Sequence, residues 1–139
     1  MNRLAFLLIS AVLLAACGSA ETSPPAPSRL DGPWSSGYST SGIGVVVNLT
    51  WTPDSVKGTG SYTVFAGSGA CAAANLTGSG TLSFATRRTS AGGVSGIIAF
   101  DSGWRPSYSG ASDSSHVEGV MTAAGASPCP LTLFHGLVP

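Results

Sequence analysis

Charge is what this sequence has least of. Only 9% of its 139 residues are Asp, Glu, Lys or Arg, and the six basic and six acidic residues give a formal net charge of zero. Average globular domains contain roughly 25% charged residues. Nucleic acids and anionic lipid surfaces are bound by clusters of basic side chains. The composition therefore predicts no basic patch for either, and no nucleic-acid partner.

Apolar residues at helical spacing are also missing after residue 30. From Asp31 onward, short runs alternate between apolar and polar residues and are separated by glycine-rich turns, which is typical of an all-β domain. The predicted strands are Pro33–Tyr38, Ile43–Trp51, Gly60–Ala66, Gly80–Thr86, Val94–Phe100, a segment around Arg105–Ser109, His116–Thr122 and Leu131–His135.

The order of these strands favours a single antiparallel meander. The stretch Gly58–Phe65 is similar to Gly78–Phe84, as expected for successive equivalent strands. Seven or eight such strands leave unpaired edges unless the sheet closes, so a closed or nearly closed up-and-down barrel is favoured over the alternative, a β-sandwich. The side chains expected to fill its interior are Trp34, Val45, Val47, Leu49, Trp51, Leu82, Phe84, Ile98, Phe100, Leu131 and Leu133.

A long apolar run occurs only at the N-terminus. Arg3 precedes the apolar stretch Leu4–Leu14, which has the length of an export signal and is too short to span a bilayer comfortably. The sequence Leu14-Ala15-Ala16-Cys17 that follows resembles the lipobox of bacterial lipoproteins. The alternative is an ordinary secretory signal followed by a chance cysteine.

The lipobox resemblance implies that residues 1–16 are removed and that Cys17 becomes a lipidated N-terminus. It places the protein in the cell envelope, and Gly18 in the next position implies the outer membrane where the host has two membranes. Residues 17–30 are small, polar and proline-rich and predict a tether, and residues 31–139 form the single folded domain.

Only two cysteines remain in the exported domain, Cys71 and Cys129. Because oxidising compartments allow cysteine pairs to persist, we expect a disulfide between them. Two free buried thiols are the alternative.

Catalytic and cofactor-binding motifs are lacking as well. Asp113, His116 and Glu118 have a spacing at which a small metal site is conceivable, but a solvated loop and the polar face of a strand explain the same residues. No motif pairs a serine with His116 or His135. The carboxylates, which fall at predicted turns or strand starts, are Asp31, Asp54, Asp101, Asp113 and Glu118. We assign no catalytic residue, metal or cofactor.

The folded domain offers three features that bear on a partner. Arg87-Arg88 and Arg105 could dock an acidic partner or keep a strand end soluble, and Trp104 is the tryptophan most expected to be an exposed contact. Gly32-Pro33-Trp34 resembles the Gly-x-Trp motif of calycins, which implies a barrel that holds a small apolar ligand.

These observations favour a membrane-tethered, non-enzymatic binding or interaction module whose partner is unknown. The alternatives are carriage of a small apolar ligand inside the barrel, inhibition of an envelope or host hydrolase, and, last, an enzyme.

Overall fold

The computed structural model describes residues 29–36, 42–65, 76 and 78–136. Every regular element among them is a strand, and the strands are β1 (Gly32–Ser35), β2 (Ile43–Trp51), β3 (Ser55–Val64), β4 (Ser79–Arg88), β5 (Gly93–Phe100), β6 (Ser107–Ser112), β7 (His116–Thr122) and β8 (Cys129–His135). Each pairs antiparallel with the next, and β8 pairs with β1 to close the barrel. The predicted all-β up-and-down barrel is confirmed, and the sandwich alternative is wrong.

The predicted strands differ from the observed ones mainly at their ends. The bounds of β2 and β7 are as predicted. However, β3 begins at Ser55 instead of Gly60, because the turn after Trp51 is so short that pairing with β2 resumes at once. The strand expected around Arg105–Ser109 begins only at Ser107, after Pro106. β1 ends at Ser35 and β3 at Val64, before the expected ends at Tyr38 and Ala66, which themselves lie outside the described residues.

The interior of the barrel is occupied by side chains. All eleven residues predicted to point inward are at most 5% exposed. Glycines on the strands do not leave pockets beside them, since a Cβ at Gly119 would lie 2.6 Å from Cζ of Tyr108. The hydroxyl of Tyr108 donates a hydrogen bond to the Leu131 carbonyl across the core at 3.2 Å. The inward direction of the predicted core residues is therefore confirmed.

Successive strands run in opposite directions, so the connections between them lie alternately at the two ends of the barrel. The chain enters at residues 29–31, and the end where it enters also carries the turns 52–54, 89–92 and 113–115; we call it the entry end. Connections 101–106 and 123–128 lie at the opposite end. At the entry end the indole N–H of Trp34 donates to the Leu30 carbonyl at 2.9 Å, so the incoming chain is fixed to a core tryptophan.

Within the described residues, no helix has the length and hydrophobicity needed to cross a membrane.

Candidate functional site

A shallow open groove crosses the outside of the barrel where β3 begins and β4 ends. It is lined by Thr52, Asp54, Ser55, Lys57, Ala85, Thr86, Arg87 and Arg88. We call it the basic groove, because three of its eight residues are cationic and one is acidic. Of the six Lys and Arg residues, Arg3 belongs to the predicted signal, so this groove contains three of the remaining five.

Strand register brings two of these cations together. Ser55 pairs with Arg87, and two residues along the same strands Lys57 pairs with Ala85. Residues two apart on a strand point to the same face, so Lys57 and Arg87 are diagonal neighbours on the outer surface, and both are exposed. The small Ala85 between them leaves the groove open.

The side chain of the third cation, Arg88, points to the opposite face from Arg87, because consecutive residues on a strand alternate between the two faces. Its guanidinium lies 5.5 Å from the centre of the Trp51 ring, within cation–π distance. Trp51 is only 5% exposed and packs against Trp34 with a centroid separation of 5.2 Å. The Arg88 backbone N–H donates to the Asp54 carbonyl at 2.7 Å, which ties the β4 end to the neighbouring turn.

Two polar atoms at this end have no hydrogen-bond partner although they are buried. They are Nε of Arg88 and Nε1 of Trp51. In most native structures buried donors are satisfied by protein or by water. The contact that places the Arg88 guanidinium is therefore the one with the Trp51 ring.

The one carboxylate in the groove is engaged within its own turn. The Thr52 hydroxyl donates to Asp54 at 2.7 Å. That hydrogen bond lowers the pKa of the Asp54 carboxyl below its usual value, with backbone hydrogen bonding and the charge of Lys57 acting in the same direction. Among the described residues, no ion pair joins Asp54 to Lys57, Arg87 or Arg88. The groove therefore keeps an excess of positive charge.

The structure brings the predicted trio Asp113, His116 and Glu118 together. Nδ1 of His116 lies 2.8 Å from Asp113, and its Nε2 lies 4.0 Å from Glu118. Asp113 also accepts from the backbone N–H groups of Ser115 and His116, and these bonds lower the pKa of its carboxyl to about 2. Among the described residues, no group of three or more His, Cys, Asp or Glu could hold a metal ion. The turn itself accounts for this cluster.

Two other candidate carboxylates also serve the backbone. Asp31 accepts from the Trp51 N–H at 2.7 Å. Asp101 accepts from the Thr81 N–H at 2.6 Å and from the Tyr62 hydroxyl at 3.1 Å. Each carboxylate therefore holds a turn or chain end in place, as their positions in the sequence predicted.

Trp104 is the most exposed of the three tryptophans, as the sequence predicts, since Trp34 and Trp51 are at most 5% exposed. It is partly buried against the core and lies 4.9 Å from the Phe100 ring. The cause of this partial burial is the β5–β6 turn. There the Phe100 N–H donates to the Trp104 carbonyl at 2.9 Å, which turns the indole back toward the core.

Arg105 lines a separate groove near Asp101, at the opposite end from Arg87 and Arg88.

Of the predicted cysteine sites, only one falls within the described residues. Cys129 is fully buried at the start of β8. Cys17 and Cys71 lie outside the described residues, so the lipidation site and the disulfide remain predictions.

Comparison with known proteins gives no guidance. No protein-family model, curated protein or solved structure matches the chain.

The basic groove itself corrects an expectation. The low overall charge predicted no basic patch for nucleic acid or anionic lipid, and Arg87-Arg88 was singled out without Lys57. Composition averages over the chain and cannot show that residues 30 positions apart meet across a strand pair. The sequence signal that could have placed Lys57 beside Arg87 is the alternation of inward and outward residues in β3. Using it requires knowing that β3 begins at Ser55.

Proposed function

We propose that the protein is a lipid-anchored, non-enzymatic module of the bacterial cell envelope that binds its partner on its outer surface. The lipobox Leu14-Ala15-Ala16-Cys17 supports the anchor. The observation that carries the outer-surface proposal is the filled interior, where all eleven predicted inward side chains are buried. A barrel of this size either holds one small ligand or is packed by its own residues.

The anchor is tested by replacing Cys17 with Ala in the full-length chain. We expect loss of lipid labelling and accumulation of the uncleaved precursor, because no thiol remains to accept the lipid. The control is the double variant Cys71→Ala/Cys129→Ala, which retains Cys17 and should still be labelled. A Cys17→Ala chain that is labelled and membrane-bound would contradict the anchor.

Binding at the outer surface is tested against the carrier alternative with an apolar fluorescent probe. We expect the chain to bind the probe no better than millimolar, because close packing at about 0.75 density leaves little space inside. Saturable one-to-one binding in the micromolar range that quenches tryptophan emission would favour the carrier function instead.

A further inference from the structure

We propose that the basic groove binds the phosphate groups of anionic lipid headgroups, so that the barrel rests with its entry end on the membrane. This rests on the proposed lipid anchor. It adds a second contact with the same membrane and fixes which end of the barrel faces the lipid.

The net positive charge of the groove favours binding of a phosphate anion. Lys57, Arg87 and Arg88 line it, and no carboxylate forms an ion pair with them within the residues that the structure covers. The planar guanidinium of arginine can bind two phosphate oxygens at once, whereas lysine acts as a point charge. The guanidinium that the outer surface offers is that of Arg87, which is exposed and lies diagonal to Lys57.

The position where the tether joins the domain favours membrane lipid over free phosphate as the ligand of the groove. Asp31, where the tether joins the domain, accepts a hydrogen bond from the Trp51 backbone, and Arg88 covers the ring of the same tryptophan. Arg29, which is exposed, lies at this end as well. Trp51 therefore contacts both the residue where the tether joins the domain and the last residue of β4, which lines the groove.

The tether keeps the groove within reach of the headgroups. As a polyproline-like segment at roughly 3.1 Å per residue, residues 17–30 hold the domain about 40 Å or less from the lipid on Cys17. An anchor this short turns a weak headgroup contact into an intramolecular one with a high effective concentration. We expect the exposed pair Lys57 and Arg87 to orient a domain that cannot diffuse away.

Lys57 provides a direct measurement because it is the only lysine in the chain. Lipidated protein is bound to vesicles of pure phosphatidylcholine, or of phosphatidylcholine mixed with phosphatidylglycerol, and treated with an uncharged amine-reactive reagent. We expect modification of the peptide that contains Lys57 to be slowed about fivefold on the anionic vesicles, since their headgroups occupy the groove. High salt should remove the protection.

Two variants separate the groove from a general surface effect. Arg87→Gln removes an exposed cation of the groove and should lose at least half of the protection. Arg105→Gln removes a cation at the opposite end and should keep it. Equal protection in both variants would show that the anionic surface merely slows the reagent, and would overturn the proposal.

Inorganic phosphate added to phosphatidylcholine vesicles distinguishes the two sources of the anion. Protection by free phosphate as strong as that by phosphatidylglycerol would overturn the membrane contact. Failure of the protein to float with either vesicle would instead refute the lipid anchor. Flotation with both vesicles and equal Lys57 reactivity would overturn this inference alone.

Discussion

At the residue scale, Gly60 occupies a position in β3 where no side chain fits. A Cβ there would overlap the Val46 carbonyl oxygen and lie 2.6 Å from Cα of Val47, both on the neighbouring strand β2. Backbone atoms cannot move aside without disturbing the pairing of β2 with β3. Gly44, on β2, is different because its nearest contact is the exposed ring of Phe65 at 2.9 Å, which can rotate away.

These two glycines give a matched pair of substitutions. Gly60→Ala should lower the free energy of unfolding by about 3 kcal/mol, at the upper end of the usual cost of overpacking. Gly44→Ala should change it by less than about 1 kcal/mol, as only a surface ring moves. Urea denaturation followed by tryptophan fluorescence measures both, and equal values would contradict the backbone clash.

At the element scale, the turn from β5 to β6 holds two other strands in place through Asp101. Its carboxylate accepts from the Thr81 N–H on β4 and from the Tyr62 hydroxyl on β3. The hydrogen bond from the Thr81 N–H, followed by that from Tyr62, lowers the pKa of the Asp101 carboxyl below its usual value. The charged carboxylate of Asp101 therefore stabilises the fold more than the protonated form does.

Asp101→Asn should lower the melting temperature at neutral pH. A carboxylate with a depressed folded-state pKa stabilises the protein above its unfolded-state value of about 3.9, and this is lost as the pH falls through the lower folded-state pKa. The difference between wild type and Asp101→Asn should therefore shrink below about pH 4. Thermal unfolding followed by circular dichroism at several pH values checks it, with Glu118→Gln, an exposed site, as the control.

The strands show what the sequence can and cannot predict. Period-two alternation in β2 identified its inward residues correctly, because a strand with one buried face repeats every two residues. The first half of β3 was missed because Gly58 and Gly60 hide its alternation. Glycines at these positions are required by the close approach of β2, which is a tertiary effect. The basic groove was missed for the same reason, since it depends on how β3 pairs with β4.

At the scale of the whole molecule, the core is continuous from one end of the barrel to the other. Phe84 is 2% exposed and meets the Tyr108 ring edge-on at 5.3 Å, whereas Phe134 lies on the outer face and is 44% exposed. The same residue type thus occurs in two environments, which allows the packing of the interior to be measured.

Phe84→Ala should cost about 3–5 kcal/mol of unfolding free energy, because it removes a ring from a packed interior. Phe134→Ala should cost less than about 1 kcal/mol, as for most surface substitutions. Denaturant titrations compare them. Similar small losses in both would indicate that the interior is loosely filled, and would revive the carrier alternative.

The disulfide predicted between Cys71 and Cys129 also acts on the whole molecule. Alkylation in denaturant without reductant should leave both cysteines unmodified by intact mass, and reduction in denaturant should make both reactive. Closing a loop of about 59 residues disfavours the unfolded state by about 4 kcal/mol in the chain-entropy model, so reduction should lower the unfolding free energy by a similar amount. Alkylation of both cysteines in folded, unreduced protein would refute the pair.

The pairing of β1 with β8 has a mechanical consequence. This closing contact comprises two residue pairs, Trp34 with His135 and Ser35 with Phe134, whereas β2 and β3 share nine. The chain reaches β1 through Leu30 and Asp31, so a pull on residues 17–30 that breaks their hydrogen bonds to Trp34 and Trp51 is next carried by β1. Under load the joint between β1 and β8 would open first, leaving β1 to β8 as an open sheet whose bare edges are these two strands.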